Sequence, residues 1–383
     1  MPYFDHNATA PLAPVARESW LRAQDEAWQN PSSPTRAAAR VKIRLDVARE
    51  QLAALLDSQP ARLVFTSGAT EGANAVFAHW ARALPPAARV AISPTEHPCV
   101  LEAARVRLGE ARIVWLEVDR AGVVAPTALE KLLAGPAAPA AVAVMAANNE
   151  TGVLQPWPTL AACCRRAGAE FFCDATQWLG KLPASGLGGA DWVVASAHKF
   201  GGPKGGGFLQ IPARADGFHS QLGGAQEHGH RGGTENLAGV AAMLAALTEA
   251  ETQKVLFETE RLRWRENFER AITVTLPNTA VIAAGAERLW NTIALRLPHG
   301  ENQRWVARLD ARGCQVSTGS ACATAKAGPS HVLAAMGLSP DEAKRVVRVS
   351  AGWDTTEADW AALAAAFVAA APEVRPADNV VRP

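Results

Sequence analysis

One stretch of this chain, 196-SAHKFGGPKGGG-207, sets Lys199 between a histidine and a run of glycines. Two chemistries suit that composition. Glycines can turn backbone N–H groups onto a phosphate, or they can clear space around a reactive amine. The phosphate-loop pattern GxxxxGK needs a Ser or Thr next, for phosphate and metal. Here Lys204 is followed by Gly205, which sets a nucleotide loop aside. Other polar residues follow apolar runs in the same way. Asp174 ends EFFCD, where a carboxylate can face a cationic nitrogen. SGAT (67–70) lies between a strand-like and a helix-like run, so N–H groups at a helix start can hold a phosphate dianion, with hydroxyls from Thr70 and Ser196. His97, in PTEHPC, can lie flat on a ring. An amine, a carboxylate for a ring nitrogen, a phosphate cup and a stacking ring together describe a site for pyridoxal 5'-phosphate (PLP). The lysine forms the Schiff base, and the aspartate keeps the pyridine nitrogen protonated.

The elements that must carry these residues alternate. Val41, Leu45, Ala48, Leu52 and Leu55 fall at steps of three and four and predict a helix over 36–56. RLVFT (62–66), RVAIS (89–93), RIVWLEV (112–118), AVAVMAAN (141–148), EFFCD (170–174), DWVVAS (191–196) and GGFLQI (206–211) read as strands, several separated by helical stretches. Such alternation predicts an α/β fold with a mostly parallel sheet between helices. Ligands of such sheets bind beyond the carboxyl ends of the strands, where SGAT, NNE, DATQ and SAHK all fall. A helical stretch over 235–272 leads to NTIALRL (291–297) and RVVRVSAG (345–352), two further strands, then a last helix over ADWAALAAAFVAAAP and a loose tail, PADNVVRP. AGPAAPAA (134–141) reads as a surface loop.

A chain of 383 residues exceeds one ordinary core and predicts two domains. Its net charge of +1 makes no electrostatic case for a nucleic-acid or membrane partner. No apolar run has the length of a membrane span, and MPYFDHNATAPLAP is not a secretory signal, so the expected location is cytoplasmic. The six cysteines show no CxxC pair. Cys99, Cys163, Cys164, Cys173 and Cys314 read as packing thiols. Cys322 differs, because its surroundings, STGSACATAKAG, are small and polar. His228 and His230, in QEHGHRGG, lack further clustered ligands, so no metal site is expected.

Motifs spread over almost the whole chain resemble those of the cysteine desulfurases, PLP enzymes of the class-V aminotransferase group with fold type I. They are DHNATAPL (5–12), NPSS (30–33), TSGATEGAN (66–74), TEHP (95–98), NNETG (148–152), DATQ (174–177), SAHKFGGPKG (196–205), RGGTEN (231–236), TGSAC (318–322) and RVS (348–350). The resemblance implies a large PLP domain over 13–258, with a mostly parallel seven-stranded sheet. It also implies a smaller α+β domain from 1–12 and 259–383. By resemblance, Lys199 anchors the cofactor and then, with a lowered pKa, moves the Cα proton. Asp174 partners the ring nitrogen, Gln177 the phenolic oxygen, and His97 stacks on the ring and helps with proton transfer. Ala69, Thr70, Ser196 and His198 hold the phosphate. Asn149 contacts cofactor or substrate. Thr234 reaches the phosphate of a neighbouring subunit, so the site is completed in a homodimer. Arg348 clamps the substrate carboxylate with its planar fork, with Asn30 assisting. Cys322, as a thiolate, attacks the sulfur of L-cysteine; the products are alanine and a persulfide. The persulfide passes its outer sulfur to a protein acceptor such as an iron–sulfur scaffold or a sulfur carrier, or into tRNA thiolation.

Taken singly, the same residues have plainer readings: Asp174 and Thr234 as helix N-caps, His97 as a structural histidine, Arg348 as an ion-pair residue on a strand. The rival enzyme reading is a selenocysteine lyase or another PLP-dependent lyase on this scaffold. A non-catalytic scaffold is argued against by the intact Lys199, Asp174, His97, Cys322 and Arg348. His6 stands where many relatives have a tyrosine, and Arg36 where a histidine often follows NPSS. The 26 residues from Cys322 to Arg348 suit the subgroup with a longer cysteine loop, which hands sulfur directly to partner proteins.

Overall fold

A computed structural model describes residues 2–319 and 330–374. The predicted strands form around a seven-stranded sheet: β1 (Leu63–Thr66), β2 (Val90–Ile92), β3 (Ile113–Trp115), β4 (Ala141–Ala143), β5 (Glu170–Asp174), β6 (Trp192–Ser196) and β7 (Gly207–Gln210). Their order is β1-β7-β6-β5-β4-β2-β3. Neighbours from β3 to β6 pair in parallel, and β7 runs antiparallel to both β6 and β1. The sheet is therefore mostly parallel, as the alternation predicts.

Both faces are apolar, because side chains alternate along each strand. Phe171, Cys173, Val193 and Ala195 join one buried cluster with the helices Arg36–Leu56, Trp157–Ala167 and Leu237–Leu256. Phe172, Trp192 and Val194 join another with the helices Ala69–Ala83 and Pro98–Leu108. The helix Arg36–Leu56 shows how sequence builds this layer. Thr35 caps it, accepting from the Ala38 N–H, and Val41, Leu45, Ala48 and Leu52 are buried while Leu55 is half-buried. Each such Val or Leu contributes about 2 kcal/mol of burial.

A third cluster lies outside the sheet. It joins Phe4 to residues between Phe257 and Val374. Its small antiparallel sheet consists of β8 (Ala280–Val281), β9 (Thr292–Arg296) and β10 (Val346–Ser350), in the order β10-β9-β8. The long helical stretch links the two regions with one interruption, a wide π turn at Phe257–Arg261, before resuming as Leu262–Thr275. The last helix spans Glu357–Val374; the tail expected to be loose lies outside the described residues. Residues 3–9 run between the two regions. Tyr3 bridges to Gln315 and Asp5 to Ser350, while the Ala10 N–H donates to the carbonyl of His198.

Candidate active site

β6 ends at Ser196, and a tight turn over Ala197–Lys199 presents the lysine. Lys199 Nζ donates to the carbonyl oxygens of Asn7 (2.6 Å) and Ala8 (2.7 Å). Gln177 Nε2 donates to the same Asn7 oxygen at 3.0 Å. Asn7 is 1% exposed and is a hub. Its N–H donates to Ser350 Oγ, and its Nδ2 to the Asn149 carbonyl (3.1 Å) and Thr292 Oγ1 (2.8 Å). Asn7 is legible in the sequence only as part of DHNATAPL. Its partners are all distant in sequence, so no local pattern announces it.

His97 opens the helix Pro98–Leu108, and its Nδ1 accepts the Cys99 N–H at 3.2 Å, which leaves the proton of the neutral ring on Nε2. Burial lowers the imidazole pKa; Asp174 opposes that shift, while Lys199 and His331 add to it. The ring is therefore neutral at pH 7. Asp174, 5% exposed, closes β5, and its Oδ1 accepts the Thr176 N–H at 2.9 Å. Behind it lies Glu96, fully buried. Glu96 Oε1 accepts the Met145 N–H, and Oε2 has no hydrogen-bond partner among the described residues. Next to Met145, the Ala146 N–H donates to the Asp174 carbonyl at 2.9 Å. Burial, and then the charge of Asp174, push the Glu96 carboxyl well above its ordinary pKa, so it keeps its proton. Glu96 was legible only as part of TEHP.

Gly68 precedes the helix Ala69–Ala83 with φ +145°, and a Cβ there would lie 3.0 Å from Ser196 Oγ. Ser196 Oγ accepts the Ala69 N–H at 2.9 Å. Thr70 is exposed in the first helical turn. His198 Nδ1 and Thr9 Oγ1 are 3.1 Å apart. Burial, then the cations Lys199, Lys204 and Lys181, bring the His198 pKa down to about 4.

Arg348, at the centre of β10, is 1% exposed. Its Nη2 pairs with Asp5 Oδ1 at 2.5 Å, and its Nη1 donates to the carbonyls of Gly319 (2.9 Å) and Asn149 (3.2 Å). It is thus a buried ion-pair residue here. Cys322 lies outside the described residues. At the near edge of that segment, Ser330 Oγ donates to Glu150 Oε2 at 2.6 Å, and His331 Nε2 lies 2.8 Å from the Glu96 carbonyl.

Asn30 and Thr234, like Thr70, lie at the surface, with Asn30 Oδ1 accepting the Ser32 N–H. Pro31 and Ser32 share the wall of a 450 Å³ cavity with Gln226, Glu227, His228 and Glu235. Thr234 is not the N-cap of its helix: Asn236 is, accepting the Gly239 N–H at 3.0 Å, because the helix begins only at Leu237. Among the described residues no group of three His, Cys, Asp or Glu is placed to hold a metal. Burial raises the thiol pKa of Cys163 and takes that of Cys164 up to about 12, which keeps both unreactive. No described helix is long and apolar enough to cross a membrane.

A separate cavity of 380 Å³ borders Lys199, lined also by His6, Lys181, Trp290 and Trp353. Lys181 is 4% exposed and went unnoticed in sequence. Lysines are ordinarily solvated, and only the fold reveals a buried one.

Comparison with known proteins shows the family. The class-V aminotransferase family profile matches residues 2–363. "Cysteine desulfurase IscS" of Dictyoglomus turgidum is 34% identical over 363 residues, covering 93% of this chain and 91% of that protein. A solved "NifS-like protein" superposes with a TM-score of 0.87 at 27% identity, over 97% of this chain and 99% of that one. A structure described as "SspA in complex with cysteine" superposes with a TM-score of 0.77 at 27% identity, over 91% and 98%. The chain belongs to the cysteine desulfurases of the class-V aminotransferase family.

Proposed function

We propose that this protein removes sulfur from L-cysteine with bound PLP, leaving L-alanine and a persulfide on Cys322. The observation that carries the reading is the convergence of Lys199, Asp174 and His97 at the carboxyl ends of the central strands in a chain of this family. The residues fit the cofactor. Gly68 lets the start of the helix Ala69–Ala83 close on Ser196 Oγ, so the first-turn N–H groups and that hydroxyl lie together where a phosphate could be held. Asp174 is a buried carboxylate available to a ring nitrogen, and neutral His97 offers a flat face.

When bound, PLP would supply an electron sink for the pair left on the substrate Cα. The chain's own residues do the rest. Lys199 holds the cofactor and then moves the Cα proton, and Gln177 orients the groups around it. Arg348 takes the substrate carboxylate, sharing its fork with Asp5, and Asn149 assists. The Cys322 thiolate attacks the substrate sulfur: an S–S bond forms, the C–S bond breaks, and a proton takes the place of sulfur on carbon. A relative's structure titled as a cysteine complex supports the substrate.

The exposed positions of Asn30 and Thr234, whose sequence neighbours line one surface cavity, support a homodimer in which each serves the partner's site. The sulfur acceptor is proposed to be a cytoplasmic protein, an iron–sulfur scaffold or sulfur carrier. The proposed division into 13–258 and 1–12 with 259–383 is supported by the separate buried clusters, although Phe257 packs in the smaller one. The test is to record the visible spectrum and assay alanine and sulfide from L-cysteine. Cys322→Ala is expected to keep the spectrum and lose sulfide, and Lys199→Ala to lose both. A colourless wild type that cannot take up PLP refutes the reading.

A further inference from the structure

We propose that Lys181 is a positioning residue for Lys199: its buried ammonium holds the Gln177 amide in one orientation and places a positive charge behind the reactive amine. This rests on the PLP reading above and extends it to a residue with no assigned part.

An ammonium can only donate, so the Gln177 atom that charged Lys181 touches at 2.9 Å is Oε1. The other end of the amide, Nε2, is thereby turned to the Asn7 carbonyl, to which Lys199 Nζ also donates. An unbroken hydrogen-bonded chain runs from Lys181 through the Gln177 amide and the Asn7 oxygen to Lys199. Two locks hold Lys181 at its head. Trp290 Nε1 donates to the Lys181 carbonyl at 3.0 Å. Gly180, at φ +73°, lets this turn press on Phe200, the residue after Lys199; a Cβ on Gly180 would lie 2.2 Å from Phe200 Cβ.

The surrounding charges make the arrangement costly unless it serves the site. Among the described residues no carboxylate forms an ion pair with Lys181. Lys199 and Arg348 act on it, both cationic. His6, Glu18 and Glu249 line the same 380 Å³ cavity, and His6 is itself paired with Asp354 at 2.9 Å. Burial, then Lys199 and Arg348, lower the Lys181 pKa to about 7. Its charge is therefore complete on the acid side of neutrality and fades above it.

The test titrates the visible band of the purified holoenzyme with pH and measures turnover of L-cysteine. Lys181→Met removes a cation that disfavours a proton on the Lys199 nitrogen. The band's midpoint should rise by about half a unit or more. With the amide unanchored, kcat should fall by roughly tenfold while KM stays within about twofold. Lys181→Arg, which keeps charge and donor, should restore the midpoint. A midpoint unmoved in Lys181→Met, or one that rises equally in Lys181→Arg, overturns the proposal. If the methionine variant does not load the cofactor, Lys181→Gln is read by the same titration and the same criteria. A wild type with no visible band would refute the PLP reading itself, an outcome distinct from these.

Discussion

Glu96 offers a sharp test of how this site is wired. The side chain is fully buried, one oxygen accepts the Met145 N–H, and the other meets no partner among the described residues. Burial and Asp174 raise its pKa well above the ordinary 4.5. In the unfolded chain the carboxyl loses its proton as pH rises past 4.5, while in the fold it keeps it. The unfolded state is then stabilised by ionisation and the folded state is not. The native protein should lose about 1.4 kcal/mol per pH unit from this group, until the folded pKa is reached. Glu96→Gln keeps the acceptor for Met145 and removes the linkage. Near pH 4.5 the variant should match the wild type within about 1 kcal/mol, the usual worth of one changed hydrogen-bonding group. Above pH 4.5 the variant should become progressively more stable than the wild type as the pH rises. Urea unfolding of both proteins from pH 4.5 to 8 reads this directly. Parallel stability curves would show that Glu96 ionises inside the fold, and the picture of a protonated acid behind Asp174 would be wrong.

Three further outcomes follow from the geometry. Gly68→Ala puts a Cβ 3.0 Å from Ser196 Oγ at a φ of +145°; it should cost about 1–2 kcal/mol and speed loss of the visible band on dialysis. Arg348→Lys keeps the charge facing Asp5 but loses the fork, so KM for L-cysteine should rise by about tenfold with a smaller change in kcat. Glu227→Gln breaks a buried pair in which Arg49 Nη1 and Nη2 donate to its two oxygens at 2.8 and 2.9 Å. It should cost about 3 kcal/mol in chemical denaturation, with the visible spectrum of the refolded protein unchanged.

The sheet was legible because each of its strands is a short apolar run ending in polar residues. The apolar run over 141–148 predicts a strand longer than β4, and beyond Ala143 the chain does still bond to β5, Val144 N–H to the Phe172 carbonyl and Ala146 N–H to the Asp174 carbonyl. β8 was not legible, since two residues carry no period. Nor was the π turn at Phe257–Arg261, which keeps helical composition. The aspartate stood out because it ends a strand, the histidine because it opens a helix, and the lysine because it follows a strand end by one tight turn. Asn7, Glu96 and Lys181 did not, because their meaning lies in burial and in partners far along the chain. Asn30 and Thr234 entered through the resemblance alone, and the single chain keeps them on its surface.

Residues 3–9 also have a consequence for how the protein is made. They emerge early in synthesis, yet their partners include Gln315 and Ser350, joined through bonds such as the one from the His6 N–H to the Ser350 carbonyl at 3.1 Å. The Asn7 carbonyl that receives Lys199 cannot be seated until more than three hundred residues have followed it. Loop closure of that span must wait for the far strand to exist. The central sheet can assemble on the ribosome, but the seat of its reactive amine is set last, so a nascent chain carries an unfinished site until β10 arrives.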